Sequence, residues 1–493
     1  MVTGTRGPKT SILLALVVIL LAGFFLRTFG LDSSSFWLDE VSSHQRASQA
    51  AWGELYQALR DKNQAPLYSA VLLRLWMKIG DGEFFLRFLT AAIGTLNIGV
   101  VFLVGRETLK ARAGLISAFL LATSTMHIYY SKVIRMYVPT ALFTSLVMHF
   151  LFRATKSGKW QNWLGYVLTA ALALYTHYYS AFSLISLSVF ILAGAWVRKN
   201  RELSKSLLVS DGAIALLFLP WLPTFGVQFG SNPVSWISPI TWQSFHTTFA
   251  RFFINKAILG QSYPVFACAL VLTMTIGMMA MMRSRKEDPQ TWWNYLLLVS
   301  GFLGPILIAL AVSLLKPFVV DRYFVMTIVP ASVVLSQGII RLSQRRWGLL
   351  LSIALLSGIL ICAYGTGTTQ WREDWRKAAD YVRANAKPGD VLVLGSDLHQ
   401  GPLNYYYNGS LPQYSLPDNP MCEDEAPCRT EVRQAIDDLH PKRLWMVRTE
   451  RFHGDHGLEG YLGSSYLGPR ISCREFGGFW EAEICLHEVR MPE

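Results

Sequence analysis

Two adjacent carboxylates, Asp39 and Glu40, stand in the run FWLDEVSS, directly after an apolar stretch from Ser11 to Leu31. Acidic side chains at a membrane surface among aromatics are costly to hold unless they have work to do. A carboxylate within hydrogen-bonding reach of a hydroxyl or amine can take its proton as a general base. A neighbouring pair can also hold a divalent cation, and Asp is equally a good cap for the helix that follows. The groups that complement such a base are cations and hydroxyls. SKVIRMY (131–137) offers Lys132, Arg135 and Tyr137; a guanidinium grips phosphate oxygens as a planar fork, and a phenol adds a donor. THYYSAF (176–182) supplies His177 and Tyr178, and VDRYF (320–324) supplies Arg322 and Tyr323. Each basic residue alone could simply reach toward lipid headgroups. Several cations and aromatics at one depth favour a specific anionic headgroup instead. Gln64 and Tyr68 flank Pro66 in the same outer loop as the acidic pair and are candidates for the acceptor or sugar side.

These groups need a scaffold that places them at one level. The chain has 493 residues, 52% hydrophobic and 16% charged, against about 25% charged in soluble domains. Membrane spans need about 20 apolar residues, and the sequence offers candidates at 11–30, 86–104, 113–130, 136–152, 162–178, 180–197, 206–225, 263–282, 292–315, 323–340 and 347–364. This predicts a mainly α, polytopic membrane protein with about 11 transmembrane helices over residues 1–364. No small-residue cleavage pattern follows the first apolar run, so it reads as an uncleaved anchor. The net charge of +12 is unevenly spread. Residues 365–493 hold 14 basic and 20 acidic residues, so the basic excess belongs to the membrane part and reports topology rather than nucleic acid. Basic clusters such as Arg106/Lys110/Arg112, Arg198/Lys199/Arg201 and Arg341/Arg345/Arg346 alternate with less basic loops. This puts the N-terminus in the cytoplasm and the C-terminal domain, with Asp39-Glu40, outside.

In the outer loop 31–85, residues 52–61 and 67–79 read as short amphipathic helices at the membrane surface. From 365 to 493 the composition is that of an extracytoplasmic α/β domain. It has helices at 375–385 and 430–439, strands at 391–396 and 443–449, and a hairpin over 473–488. Four of the six cysteines lie there, and an even count in an outward-facing domain predicts the disulfides Cys422–Cys428 and Cys473–Cys485. Zinc is the rival reading of those cysteines, although no CxxC spacing occurs.

Taken together, the acidic pair after span one, the proline-leucine-tyrosine element at 66–68, Arg135-Met136-Tyr137, Thr176-His177-Tyr178 and Arg322-Tyr323 resemble a known family. They are similar to the multi-spanning glycosyltransferases of the GT-C fold, which include the dolichyl-phosphate-mannose–protein mannosyltransferases and bacterial aminoarabinose transferases. The similarity covers residues 10–345. It implies that Asp39 is the catalytic base, with Glu40 supporting or sharing that role. It also implies a polyprenyl-phosphate sugar as donor, with its phosphate held by Arg135, Tyr137 and Arg322. The chain departs from the family at Val133, where many bacterial relatives carry Glu, and at Gln64-Ala65-Pro66, where His-Pro-Pro is usual.

The sequence thus predicts an integral membrane glycosyltransferase. It moves a sugar from a polyprenyl-phosphate donor to a protein, lipid or glycan acceptor at the outer face, with inversion. No cofactor is required and no Gly-rich nucleotide loop is present; a divalent cation at Asp39/Glu40 stays open. The alternative is a lipid or glycolipid flippase, which would show charged or broken helices near the membrane midplane.

Overall fold

The computed structural model describes residues 8–61, 63–230, 237, 241–283, 289–315, 317–416, 430–449, 467–477 and 481–489. The chain forms two compact units, one of Met1–Phe29 with Arg46–Thr368 and one of Gly30–Gln45 with Thr369–Glu493.

The first unit is a helical bundle. Among the described residues eight helices are long and apolar enough to cross a membrane: Thr10–Thr28, Glu83–Leu109, Ser180–Val197, Arg201–Gly230, Lys256–Met282, Trp292–Ser313, Asp321–Leu342 and Arg346–Thr368. At about 1.5 Å per residue these match a hydrocarbon core of about 30 Å or exceed it. The other expected spans take different forms. The stretch 113–130 is cut at Thr123-Ser124 into Ala111–Ala122 and Thr125–Ser131, because the Ser124 side chain accepts the His127 N–H and caps a new helix. Residues 162–197 split at His177, the C-cap of Trp160–Thr176. Tyr137–Ser157 is a helix that ends in the polar run Arg153–Ser157.

Asp321–Leu342 is the hub of this bundle, with 89% of its apolar window buried against 11% for Thr10–Thr28. Its close approach to Tyr263–Arg283 depends on two glycines: a Cβ at Gly338 would meet the Thr273 carbonyl at 1.9 Å, and one at Gly277 would meet that of Val334 at 2.4 Å. Without a hydrophobic force between helices in lipid, such small-residue contacts supply the packing. In the outer loop, Trp52–Asp61 is helical as expected, while 67–77 begins as a π-helix, Leu67–Leu73, before Arg74–Met77.

A wholly buried arginine sits where the first helix meets this bundle. Arg27 donates to the carbonyls of Leu121 (2.9 Å) and Ala122 (3.0 Å), the last residues of Ala111–Ala122, and to Nδ1 of His127 (3.0 Å). The positive guanidinium suits that helix end, where unpaired carbonyls concentrate negative charge. Because Nδ1 accepts from Arg27, the neutral ring of His127 carries its proton on Nε2, which faces the Asn97 amide at 3.3 Å.

In the second unit the described strands are β1 (Val391–Leu394), β2 (Gln413–Ser415), β3 (Arg443–Thr449), β4 (Leu467–Gly477) and β5 (Glu481–Val489). They form one sheet in the order β2-β1-β3-β5-β4, parallel across β2-β1-β3 and antiparallel from there. Side-chain alternation gives two apolar faces: Leu392, Leu394, Trp445 and Val447 pack with Trp375–Asn385, and Val391, Val393, Leu444 and Met446 pack with Ile436. Cys473 and Cys485 are cross-strand partners on β4 and β5 and form a disulfide. Cys422 and Cys428 lie outside the described residues.

Replacing Arg27 with Met leaves the Leu121 and Ala122 carbonyls and the His127 ring without their donor. The expected cost is about 3 kcal/mol, read as a lower thermal-unfolding midpoint in detergent, with Arg27→Lys intermediate. An unchanged midpoint would show that this buried contact holds nothing.

Candidate functional site

Within the membrane bundle, the loop 132–136 and the turn 177–179 bring polar groups together with the 3-10 helix Asp321–Thr327. The rings of Tyr137, His177 and Tyr323 face one another, with centroids 6.1 Å apart for Tyr137–His177, 4.8 Å for His177–Tyr323 and 6.3 Å for Tyr137–Tyr323. The Arg135 guanidinium lies 5.7 Å from the Tyr137 ring and that of Arg322 lies 5.6 Å from the Tyr323 ring. Five of the residues chosen from the sequence therefore form one cluster.

His177 is the electrostatic gauge of this cluster. Burial, and then the positive charges of Arg135 and Arg322, push its imidazole down to about 3. The ring is thus neutral at physiological pH. Its Nδ1 accepts the Tyr179 N–H at 3.2 Å, so the proton resides on Nε2 and the ring acts as a donor. The buried Tyr137 hydroxyl has no hydrogen-bond partner among the described residues. Such an orphaned donor in an arginine-lined site fits an anion that carries several acceptor oxygens.

Other residues of the site were not singled out from the sequence. Asp321 pairs with Arg251, and its Oδ1 accepts the Arg322 N–H at 2.6 Å, so one carboxylate sets both arginines. The segment carrying Arg251 is held in turn by Thr125, whose hydroxyl donates to the Arg251 carbonyl at 2.7 Å. Arg251 thus adds a guanidinium to those of Arg135 and Arg322, with Asp321 as its carboxylate partner. Tyr179 joins through its ring, 4.6 Å from Tyr323. Asp321 adjoins Arg322 in the sequence, whereas Arg251 stands in RFFIN with no pattern to mark it.

Some candidates sit elsewhere in the bundle. The Lys132 ammonium donates to the Phe29 carbonyl at 2.6 Å and to that of Gly367, at the ends of the helices Pro8–Thr28 and Arg346–Thr368. The Tyr178 hydroxyl donates to Gln228 Oε1 at 2.5 Å and accepts from Trp221 Nε1 at 2.7 Å. Gln228 also donates to the Leu59 and Gln64 carbonyls, so this network ties Leu222–Gly230 to the outer loop. Tyr68 is buried in the π-helix Leu67–Leu73, a distortion that often accompanies functional sites.

The acidic pair belongs to the second unit. Both residues lie in the first turn of the helix Leu38–Ala47, where the partial positive charge favours carboxylates. Successive side chains on a helix diverge by about 100°. Asp39 is accordingly half-buried, while Glu40 is fully buried with Oε2 3.1 Å from Nη1 of Arg372. That commitment leaves the pair without two converging ligands, so these residues do not fit a shared divalent ion. Among the described residues the one group spaced for a metal is Cys473, Glu483 and Cys485, and its two sulfurs are bonded to each other.

Residues 64–223 match the profile of the family described as dolichyl-phosphate-mannose-protein mannosyltransferase. No curated protein matches the chain. Among solved structures, ArnT from Cupriavidus metallidurans in the apo state is similar over 97% of this chain and 98% of its own, with a TM-score of 0.56 and 14% identity. The same ArnT bound to undecaprenyl phosphate gives a TM-score of 0.55 at 13% identity, over the same shares of the two chains. The archaeal oligosaccharyltransferase AglB from Archaeoglobus fulgidus, in complex with an inhibitory peptide and a dolichol-phosphate, matches over 89% of this chain and 69% of its own, with a TM-score of 0.57 and 13% identity. The chain therefore shares the overall fold of these membrane proteins, and residues 64–223 resemble the mannosyltransferase profile.

Proposed function

We propose that this protein is an integral membrane glycosyltransferase that moves a sugar from a polyprenyl-phosphate donor to an acceptor at the outer face of a membrane. The observation that carries this reading is the gathering of Arg135, Arg322, Tyr137 and Tyr323 around a neutral His177 in an apolar bundle. A lipid phosphate is the anion that such a bundle can reach. Arg135 and Arg322 grip its oxygens, Arg251 adds a third cation, and the Tyr137 hydroxyl and His177 Nε2 donate to it. Asp39 is the general base. It takes the proton of the acceptor hydroxyl or amine as that atom attacks the anomeric carbon. The bond from that carbon to the phosphate oxygen breaks, the electron pair leaves with the polyprenyl phosphate, and the anomeric centre inverts. The arginines stabilise the charge that grows on the leaving phosphate. Gln64 and Tyr68 contribute on the acceptor or sugar side, the N-terminus is cytoplasmic, and the C-terminal unit is extracytoplasmic.

A second reading, lipid transport, has one observation in its favour. Asp211 lies inside the apolar helix Arg201–Gly230, where its Oδ1 accepts from the Tyr166 hydroxyl at 2.8 Å, and a carboxylate at membrane depth is a mark of transporters. Movement of lipid between leaflets without sugar transfer would favour it.

In purified protein supplied with polyprenyl-phosphate-linked radiolabelled sugars, Asp39→Asn should lower transfer by about 10²–10⁴-fold while donor binding persists. Equal transfer by both proteins would remove Asp39 from the mechanism. Arg135→Gln and Arg322→Gln should each weaken binding of undecaprenyl phosphate by about tenfold to a hundredfold. Unaltered binding in both would move the phosphate elsewhere. The depressed proton affinity of His177 also couples to stability. Its folded-state value near 3 lies below the ordinary 6.5, so its contribution is complete above pH 6.5 and is lost as pH falls toward 3. In His177→Gln the unfolding midpoint should therefore fall less steeply than in the wild type between pH 6.5 and about 4.5; parallel slopes would show that this ring is not the group responsible.

A further inference from the structure

The acidic pair divides its labour, and the second unit supplies the reason. Glu40 has no exposed surface, and its partner Arg372 has a side chain only 6% exposed. The Arg372 guanidinium also lies 5.1 Å from the ring centre of Trp37, one helical turn before Glu40. The backbone just ahead of Asp39 is fastened to the same unit. Ser35 Oγ accepts the Trp375 N–H at 2.7 Å and donates to the Glu373 carbonyl at 3.2 Å, while the Phe36 N–H donates to the Tyr406 hydroxyl at 2.7 Å. The residues after Arg372 are fixed in their turn: Glu373 forms a bridge with Gly477 at the end of β4, and the Asp374 N–H donates to the Phe476 carbonyl at 3.1 Å. A continuous set of contacts thus runs from the sheet through Arg372 to the helix turn that bears Asp39.

We infer that Glu40 and Arg372 are positioning residues through which the C-terminal unit aims Asp39, and that Glu40 exchanges no proton with the acceptor. This rests on Asp39 being the base. A base must reach the acceptor's proton, and a carboxylate with no exposed surface that is already paired with a guanidinium cannot. It can, however, fix the rotation of the helix Leu38–Ala47 about its axis, and with it the direction of the neighbouring side chain. Small misplacement of a catalytic group is enough to lower turnover about a hundredfold.

The test uses the full chain in lipid nanodiscs, with Arg372→Gln, Arg372→Lys, the double variant Glu40→Gln/Arg372→Gln, and Asp39→Asn. Breaking one partner of a buried ion pair is destabilising in itself, and the double variant avoids that by leaving two neutral amides facing each other. Three quantities are read: sugar transfer from polyprenyl-phosphate-linked sugars, binding of undecaprenyl phosphate, and amide hydrogen exchange of residues 36–45. Arg372→Gln should lower kcat by about tenfold to a hundredfold with donor KM and undecaprenyl phosphate binding unchanged. It should also speed exchange in 36–45 while β1 stays protected. Arg372→Lys should lie between, and the double variant should recover most of the lost kcat. A double variant that is folded, binds the lipid and is as inactive as Asp39→Asn would overturn the inference by giving Glu40 a chemical role. Unchanged kcat and exchange in Arg372→Gln would overturn it by showing that the pair aims nothing. If the wild type transfers no sugar, the enzyme reading fails by itself, and the exchange of residues 36–45 in Arg372→Gln still decides whether Arg372 holds this segment.

Discussion

A guanidinium removed from water must be given acceptors, and the means by which this chain supplies them organise the rest of the structure. Arg27 is satisfied by neutral groups, the carbonyls that end Ala111–Ala122 and the His127 ring. Arg251 keeps part of its side chain in solvent, and its acceptor is a carboxylate, Asp321, whose Oδ1 also accepts the Arg322 N–H. Within the second unit, Arg372 is satisfied by Glu40. Each solution locks a different piece of backbone. The first fixes the short helix Thr125–Ser131 that leads into Arg135. The second fixes the 3-10 turn of Arg322 and Tyr323. The third fixes the turn of Asp39. Buried cations are expensive, so wherever one is kept its acceptors determine the local geometry.

Much of this was legible from residue types. Apolar run lengths gave the membrane class, and the Arg-Tyr pairs at 135–137 and 322–323, with His177, marked groups that do come together. In the C-terminal part the helix Trp375–Asn385 and the strands Arg443–Thr449 and Glu481–Val489 follow from period and turn signals. What sequence pattern did not show has mainly one physical cause. Arg251, Asp321 and Arg372 act through partners far along the chain, and sequence pattern reports only neighbours. Lys132 and Tyr178 carry the chemistry of phosphate ligands, yet their donors are taken by backbone carbonyls and by Gln228. A side chain's type states what it can bond, while packing decides what it does bond. The expected span 113–130 was misread for a local reason: a hydroxyl that caps a helix also ends the one before it, so Ser124 breaks an otherwise apolar run.

The adjacency of Asp39 and Glu40 is likewise ambiguous in sequence and resolved by helical geometry. Two carboxylates one residue apart look like a pair that could share a proton or a metal. On a helix they point in different directions, and one meets an arginine. The same side-chain chemistry thus gives one half-buried acid and one fully buried structural acid.

The Asp39 segment also imposes an order on biosynthesis. Ser35 and Glu40 take their partners from residues 340 and 332 positions further along the chain. At about 5–20 residues per second, the turn that bears Asp39 emerges tens of seconds before anything exists to hold it. The bundle can insert helix by helix during that interval, since each apolar helix satisfies its own backbone hydrogen bonds in lipid. The acidic turn cannot, and it reaches its final form only when residues 372–375 have been translated and folded with their unit. A nascent or truncated chain that lacks residues 372–375 is therefore a precursor in which the turn bearing Asp39 is present but not yet held in place.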